Sequence, residues 1–316
     1  YRRDGSIASN SKLGSYSYTA SPVAHAPANV NGQSFAYDAN GNMTAGLNSK
    51  AMTYDGENRP LSVTHAGKTT TYVYGADGTR LKKIENAGTG LQKTTLYVGG
   101  MEVQDDGTRV IYPHPMVRIE NGTDVTYMHR DIRGSVFAVT DGTGAFAKRT
   151  EYEPYGKIGY EVVNDPDLAE ENTGFIGERF DEDSGLQYLN ARYYDPELGM
   201  FIQPDWWEVT EAGVGTNRYS YSFNDPSNRF DPNGNSAENP TFADRVIDFF
   251  ARGVSGMLEG MNPNRDWDSR DAISSLPGAG MVIPDFDPLM DGEVTAGDIL
   301  GGAAQMVPAG KMVGKI

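Results

Sequence analysis

Tyr37-Asp38-Ala39-Asn40-Gly41-Asn42-Met43-Thr44 is followed by Tyr54-Asp55-Gly56-Glu57-Asn58-Arg59-Pro60-Leu61-Ser62-Val63-Thr64 and by Tyr74-Gly75-Ala76-Asp77-Gly78-Thr79-Arg80-Leu81-Lys82-Lys83-Ile84. These are three loose copies of one unit. A strand ends at Tyr, and Asn-Gly or Asp-Gly supplies the positive φ angles of a hairpin turn. An alternating strand such as Leu61–Thr64 or Arg80–Ile84 then leaves the turn. The tyrosine suits a half-buried position, its ring packed and its hydroxyl reaching water or a backbone group. One such hairpin cannot bury a face alone, so the units must pair sideways into a continuous sheet. Tyr127–Thr140 and Thr143–Tyr155 extend the pattern as hairpin arms about Asp141-Gly142, and little helix is expected before residue 235.

Composition agrees with short strands and tight turns: 38 glycines and 18 tyrosines accompany a hydrophobic content of only 38%. A formal net charge of −16 repels phosphate backbones, so nucleic acid is not expected on the bulk of the surface. The absence of cysteine excludes disulfides, thiolate catalysis and Cys-type zinc sites. No run of about 20 apolar residues is present to form a membrane-spanning helix. The chain opens at Tyr1 and is read as a piece of a longer polypeptide. None of the four histidines, His25, His65, His114 and His129, lies at ligand spacing from another, and no cofactor or metal is expected.

A denser block lies further along. Thr173-Gly174-Phe175-Ile176-Gly177-Glu178-Arg179-Phe180-Asp181 and Ser184-Gly185-Leu186-Gln187-Tyr188 lead into Asn190-Ala191-Arg192-Tyr193-Tyr194-Asp195-Pro196. Gly199-Met200-Phe201-Ile202-Gln203-Pro204-Asp205 follows, then Asn217-Arg218-Tyr219-Ser220-Tyr221, Asn224-Asp225-Pro226 and Asp231-Pro232-Asn233-Gly234. This ordered series resembles the Rhs-associated core module of Rhs/YD-repeat polymorphic toxins, which include type VI secretion Rhs effectors and the C component of Tc toxins. The match is dense over residues 127–235, and residues 30–100 carry the looser YD repeats of the same family.

The resemblance implies a mainly β fold: a YD-repeat hairpin sheet forming part of a hollow cocoon, with the core module curled into one end. The implied organisation is a shell segment over 1–126, a core with an autoprotease motif over 127–235, and a C-terminal extension over 236–316. Members of this family enclose their own toxin region and cut the chain after the second Asp-Pro-x-Gly motif with two aspartates. On this sequence those positions are Asp205 and Asp231, and the cut falls between Asn235 and Ser236. Two departures stand out. Trp206-Trp207-Glu208 follows Asp205 where the family continues in a Pro-x-Gly manner, and Met200 stands where it usually has Arg.

Two carboxylates brought close together cannot both ionise cheaply, so one pKa rises and the pair holds a proton between them. One member then activates water while the other protonates or polarises the peptide, in a reaction that happens once and in cis. Trp206, Trp207 and Phe230 are expected to supply an apolar wall. An Asp-Pro pair is otherwise an ordinary turn former, and Asp195-Pro196 and Asp225-Pro226 are read that way.

After residue 235 the composition changes. Thr241–Met261 carries apolar residues at helical spacing, a second helix is expected from Thr295 to about Val307, and Gly301–Ile316 resembles a linker ahead of an effector domain. Asp287, Asp291 and Asp298 echo a calcium loop, but Leu289 takes a ligand position, so the match is read as coincidence. The expected protein is a secreted effector, made in the bacterial cytoplasm and delivered into target cells. Its expected partners are its own enclosed toxin region, a cognate immunity protein and secretion-spike or chaperone proteins. The competing readings are a non-catalytic YD-repeat surface scaffold and a membrane-active toxin formed by 236–316, membrane contact being expected of that tail alone.

Overall fold

The computed structural model describes residues 1–238, apart from 167–170, 209, 212 and 214. The helices expected in Thr241–Met261 and from Thr295, the linker-like Gly301–Ile316 and the calcium-like aspartates lie outside these residues. Within them the protein is mainly antiparallel β. Its only helical elements among the described residues are three-residue turns at Leu47–Ser49, Phe175–Gly177 and Ser222–Asn224.

Fourteen strands, from Ala36–Tyr37 to Ile158–Val163, form one meander in which every strand pairs with its sequence neighbours. That topology follows from the repeat, because each unit supplies only a hairpin and the next unit must extend it. The turn chemistry recurs at four of the corners. Asp38 Oδ1 accepts the amides of Asn40 and Asn42, while the Asp38 N–H donates to the Asn42 carbonyl and its own carbonyl accepts from Gly41. Asp55, Asp131 and Asp141 repeat this pattern of bonds. The positive φ falls three residues after the first turn residue, at Gly41 (91°), Asn58 (65°) and Gly78 (85°), which is a type I turn closed by a left-handed residue. The aspartate therefore acts as a side-chain brace for its own turn, and this is why Tyr37 and Tyr54 are followed by Asp; after Tyr74 a glycine opens the turn and Asp77 braces it from within.

The tyrosines are half-buried, as their position predicts. Tyr54 donates to the Met43 carbonyl at 2.7 Å, Tyr74 to that of Pro60 at 2.8 Å and Tyr37 to that of Pro27 at 2.9 Å. Each hydroxyl thus ties its own strand end to an earlier stretch of chain. Two residues beyond the left-handed position the register slips by one. Tyr54 faces Pro60 while Thr53 faces Ser62, which leaves Leu61 bulged out. The same slip leaves out Thr44, Leu81, Phe137, Ala147 and Gly159. A bulge strengthens local twist and bends the strand, so repeating it at corner after corner curls the sheet. It also reverses the facing pattern, turning Leu61, Leu81 and Phe137 outward while Val63, Lys83 and Val139 point in.

The inward face covers a second, four-stranded sheet made of Arg179–Asp181, Leu186–Leu189, Arg192–Asp195 and Met200–Phe201. Every residue of Leu186–Leu189 and Arg192–Asp195 is buried, so both faces of this small sheet are covered. Leu186, Tyr188, Tyr193, Leu198, Met200 and Ile202 share one core with Met43, Met52, Val63 and Tyr72 of the long sheet. Charges hold the two together as well. Asp181 bonds to Arg80 at 2.5 Å and to Lys83 at 3.3 Å, Asp195 to Lys50 at 2.7 Å, and Arg179 to Glu102 at 2.8 Å. Burial raises the Asp181 pKa, but Arg80 and Lys83 outweigh it and hold the carboxyl below the ordinary carboxylate range.

A buried arginine joining two aspartates

The chain from Asn190 to Ser236 folds back on itself around Arg192. This residue sits on the third strand of the small sheet, 3% exposed, with its guanidinium 3.6 Å from the centroid of the Phe201 ring. Its Nη2 lies 2.8 Å from Asp205 Oδ2 and 3.4 Å from Asp231 Oδ2. The remaining nitrogens donate to backbone, Nη1 to the Arg218 carbonyl at 2.9 Å and Nε to that of Gly234. One side chain therefore fixes the strand, the Pro204-Asp205 corner, the Arg218 segment and the Asp231–Gly234 turn. The planar fork of five donors suits this task in a way a lysine does not.

Asp205 and Asp231 are each 2% exposed, and the fold brings both to that single nitrogen. Asp205 Oδ1 also accepts the Trp207 amide at 2.9 Å. Asp231 Oδ1 accepts the Ser236 amide at 3.2 Å, which puts this carboxyl against the nitrogen of the Asn235–Ser236 peptide bond. Asn233 braces the same peptide: its Oδ1 accepts from the Asn235 amide at 2.8 Å and the Ser236 amide at 2.9 Å, and its Nδ2 donates to Ser236 Oγ at 3.1 Å. Gly234 carries φ of +73°, and a Cβ there would run into the Leu189 carbonyl and crowd the Arg192 amide at 3.0 Å. Only glycine lets the turn approach the strand this closely.

The electrostatics follow from a count of charges. One guanidinium can neutralise one carboxylate, and here two buried carboxylates share it. Burial pushes the Asp231 carboxyl up to about 6; Arg192 opposes this and Asp205 adds to it. Burial also raises Asp205, against Arg192, the Trp207 amide and Arg218. The Arg192 guanidinium is itself pushed down by burial, with Asp231 and Asp205 opposing. Burial thus raises both carboxyls against one shared guanidinium, and Asp231 is the one lifted to about 6.

Several sequence expectations need correction here. Phe230 is buried beside Phe201 and Tyr221, so it does line the site, but Trp206 is 68% exposed and stacks edge-on with Trp207 at the surface. The apolar wall is Phe201, which faces Arg192 directly. Met200, where an arginine is usual, is 1% exposed and packs in the main core, and Asp205 still reaches Arg192. Asp195 does form a turn, accepting from Glu197 and Leu198, and in addition holds the buried Lys50. Asp225 is a turn residue, its carbonyl accepting from Asn228 and Arg229. Arg192 went unassigned in the sequence. The signal for it was a lone cation in a run of residues that are otherwise aromatic or small, Asn190-Ala191-Arg192-Tyr193-Tyr194. Among the described residues no three His, Asp or Glu side chains could hold a metal.

The described chain is a curled meander of hairpins over a small buried sheet, with an arginine and two aspartates gathered beside it. Comparison with known proteins places it. Residues 115–227 match the family described as Teneurin YD-shell. The tRNA3(Ser)-specific nuclease WapA of Bacillus spizizenii is 29% identical over 223 residues, a match covering 65% of this chain and 9% of that protein. The toxin protein Tse5 of Pseudomonas aeruginosa is 42% identical over 60 residues, 19% of this chain and 4% of Tse5. The crystal structure of TcdB2-TccC3 superposes with a TM-score of 0.56 at 22% identity, covering 63% of this chain and 11% of that one. The resemblance to Rhs/YD-repeat toxins therefore stands: residues 115–227 match a YD-shell model, and the relatives found include toxins. It spans about a tenth of the length of the WapA relative and of the TcdB2-TccC3 chain.

Proposed function

We propose that this chain is the toxin-proximal part of a bacterial Rhs-type effector. Its shell encloses the effector's own toxin region, and the Arg192–Asp205–Asp231 group cuts the Asn235–Ser236 peptide bond in cis. The effector is secreted and delivered into target cells, with an immunity protein and secretion-spike or chaperone proteins as partners. The shell segment spans 1–126, the core 127–235, and the released piece begins at Ser236.

One observation carries this reading. The carboxyl that burial lifts to about 6 accepts the Ser236 amide N–H, so an acid that holds its proton at weakly acidic pH sits against the leaving group of the proposed cut. In this reading Asp231 protonates that nitrogen as the C–N bond breaks, and Asp205, ionised beside Arg192, takes up the proton of the attacking group. The overall reaction consumes one water. Because acid, base and bond belong to one folded chain, proximity supplies much of the rate.

Intact mass of the purified chain tests it. The wild type yields a fragment beginning at Ser236, and Asp231→Asn, which keeps the shape but cannot donate a carboxylic proton, stays whole. A folded wild-type chain that remains full-length removes the autoproteolytic reading. It would leave the arginine and aspartates as a structural latch in a non-catalytic shell.

A further inference from the structure

We infer that the first nucleophile in this cleavage is the hydroxyl of Ser236 itself, so that the bond breaks through an ester intermediate rather than by direct attack of water. This deepens the proposed reaction and rests on it.

Three observations point to the serine. Asn233 Nδ2 donates to Ser236 Oγ at 3.1 Å, which fixes the oxygen as an acceptor and leaves its own proton free to transfer. The same asparagine, through Oδ1, holds the amides on both sides of the Asn235 carbonyl, at 2.8 and 2.9 Å. The carbonyl and the hydroxyl one residue on are thus held in a fixed relation, and their reaction closes a five-membered ring, the geometry in which intramolecular attack gains most. The third observation concerns the chain beyond the serine: Ala237 donates to the Gly213 carbonyl at 2.9 Å, and a Cβ on Gly213 would lie 2.8 Å from that of Ser236, so the residues on the far side of the bond are anchored as well.

The step balances within the chain. The Oγ–carbonyl carbon bond forms as the Asn235 C–N bond breaks. The hydroxyl proton passes to the carboxylate pair, and the proton on Asp231 passes to the departing nitrogen, which becomes the free amine of Ser236. Water then hydrolyses the Asn235–Oγ ester, giving the Asn235 carboxylate and restoring the serine hydroxyl. Asp231 acts as the acid in both this route and the direct one, whereas Ser236 Oγ reacts only here.

Time courses on the full chain distinguish the routes. Ser236→Ala is expected to slow cleavage on the order of a hundredfold or more, while Ser236→Thr, which keeps a hydroxyl, continues to cut. Hydroxylamine added during wild-type cleavage should trap the ester as an Asn235 hydroxamate, read from the mass of the N-terminal fragment, and none should form with Ser236→Ala. Equal melting temperatures of the three chains exclude misfolding as the cause. Wild-type rates in Ser236→Ala without hydroxamate in any chain would overturn the serine route and leave the aspartate reading intact, provided Asp231→Asn stays whole. A wild-type chain that never cuts removes both.

Discussion

Replacing Arg192 by methionine tests the electrostatic account at its centre. Methionine matches the length of the arginine stem and can still lie on Phe201, so the change removes charge and donors more than volume. It leaves Asp205 and Asp231 buried with no cation, and the Arg218 and Gly234 carbonyls without their donors. Breaking a buried ion pair from one side costs about 3–5 kcal/mol. For a domain of this size that lowers the melting temperature by roughly 10 °C or more at pH 7.5. The sign of the pH dependence is the sharper criterion. Arg192 lowers both carboxyl pKa values in the wild type, so without it both rise further, Asp231 from its already raised value of about 6. A group whose folded pKa lies above its unfolded one binds extra protons in the native state, so it adds stability on acidification and loses it as pH climbs through the folded value. The variant should therefore recover part of its deficit between pH 7.5 and 5, while wild type gains less over the same range. Thermal melts of both proteins at the two pH values measure this, with intact mass reporting the expected loss of cleavage. An equal deficit at both pH values would refute the claim that uncompensated carboxylates cause it, and an unchanged melting temperature would refute the claim that Arg192 is structural at all.

Two further predictions address the shell. Asp181→Ala strands Arg80 and Lys83 without their shared anion, and the urea midpoint should fall by the equivalent of about 3–5 kcal/mol, a loss at the junction of the two sheets. Tyr54→Phe removes one hydroxyl bond to the Met43 carbonyl while keeping the ring, and should cost about 1 kcal/mol in the same measurement. No change there would mean the repeat tyrosines act through their rings alone.

The repeat was legible because its physics is local. A tyrosine, an aspartate and a glycine or asparagine three residues later encode a turn without reference to anything distant, and the strands at Pro60–His65 and Arg80–Glu85 fall where the alternation puts them. The bulges were not legible, since a bulge is a property of two strands in register and Leu61 alone looks like any alternating position. Nor was the burial of Leu186-Gln187-Tyr188-Leu189. Its alternation reads as a one-sided strand, yet all four residues are covered, Gln187 donating to the Phe175 and Glu178 carbonyls to survive there. Asp205 and Asp231 entered through the resemblance alone. Their chemistry could not be completed from sequence because the third member lies on a different strand, and linear spacing carries no information about who neutralises a buried charge.

The same reasoning bears on why an arginine belongs between the aspartates. A bare carboxylate pair needs a proton to be tolerable in a dry site, so its stability would depend strongly on pH. With Arg192 present, the group carries one cation against two acids and needs only one proton to be neutral. Arg192 lowers both carboxyls against burial, and Asp231, lifted to about 6, is the one that accepts the Ser236 amide. One guanidinium thus offsets two chemically identical side chains that differ in their other partners, and in the proposed reaction that difference lets one act as acid and the other as base. It also donates to the Gly234 carbonyl, one residue before Asn235, so the group that sets the charge is the group that positions the turn. Charge and geometry cannot then fail separately: a change that frees the 231–236 turn also strips Asp231 of its counter-ion.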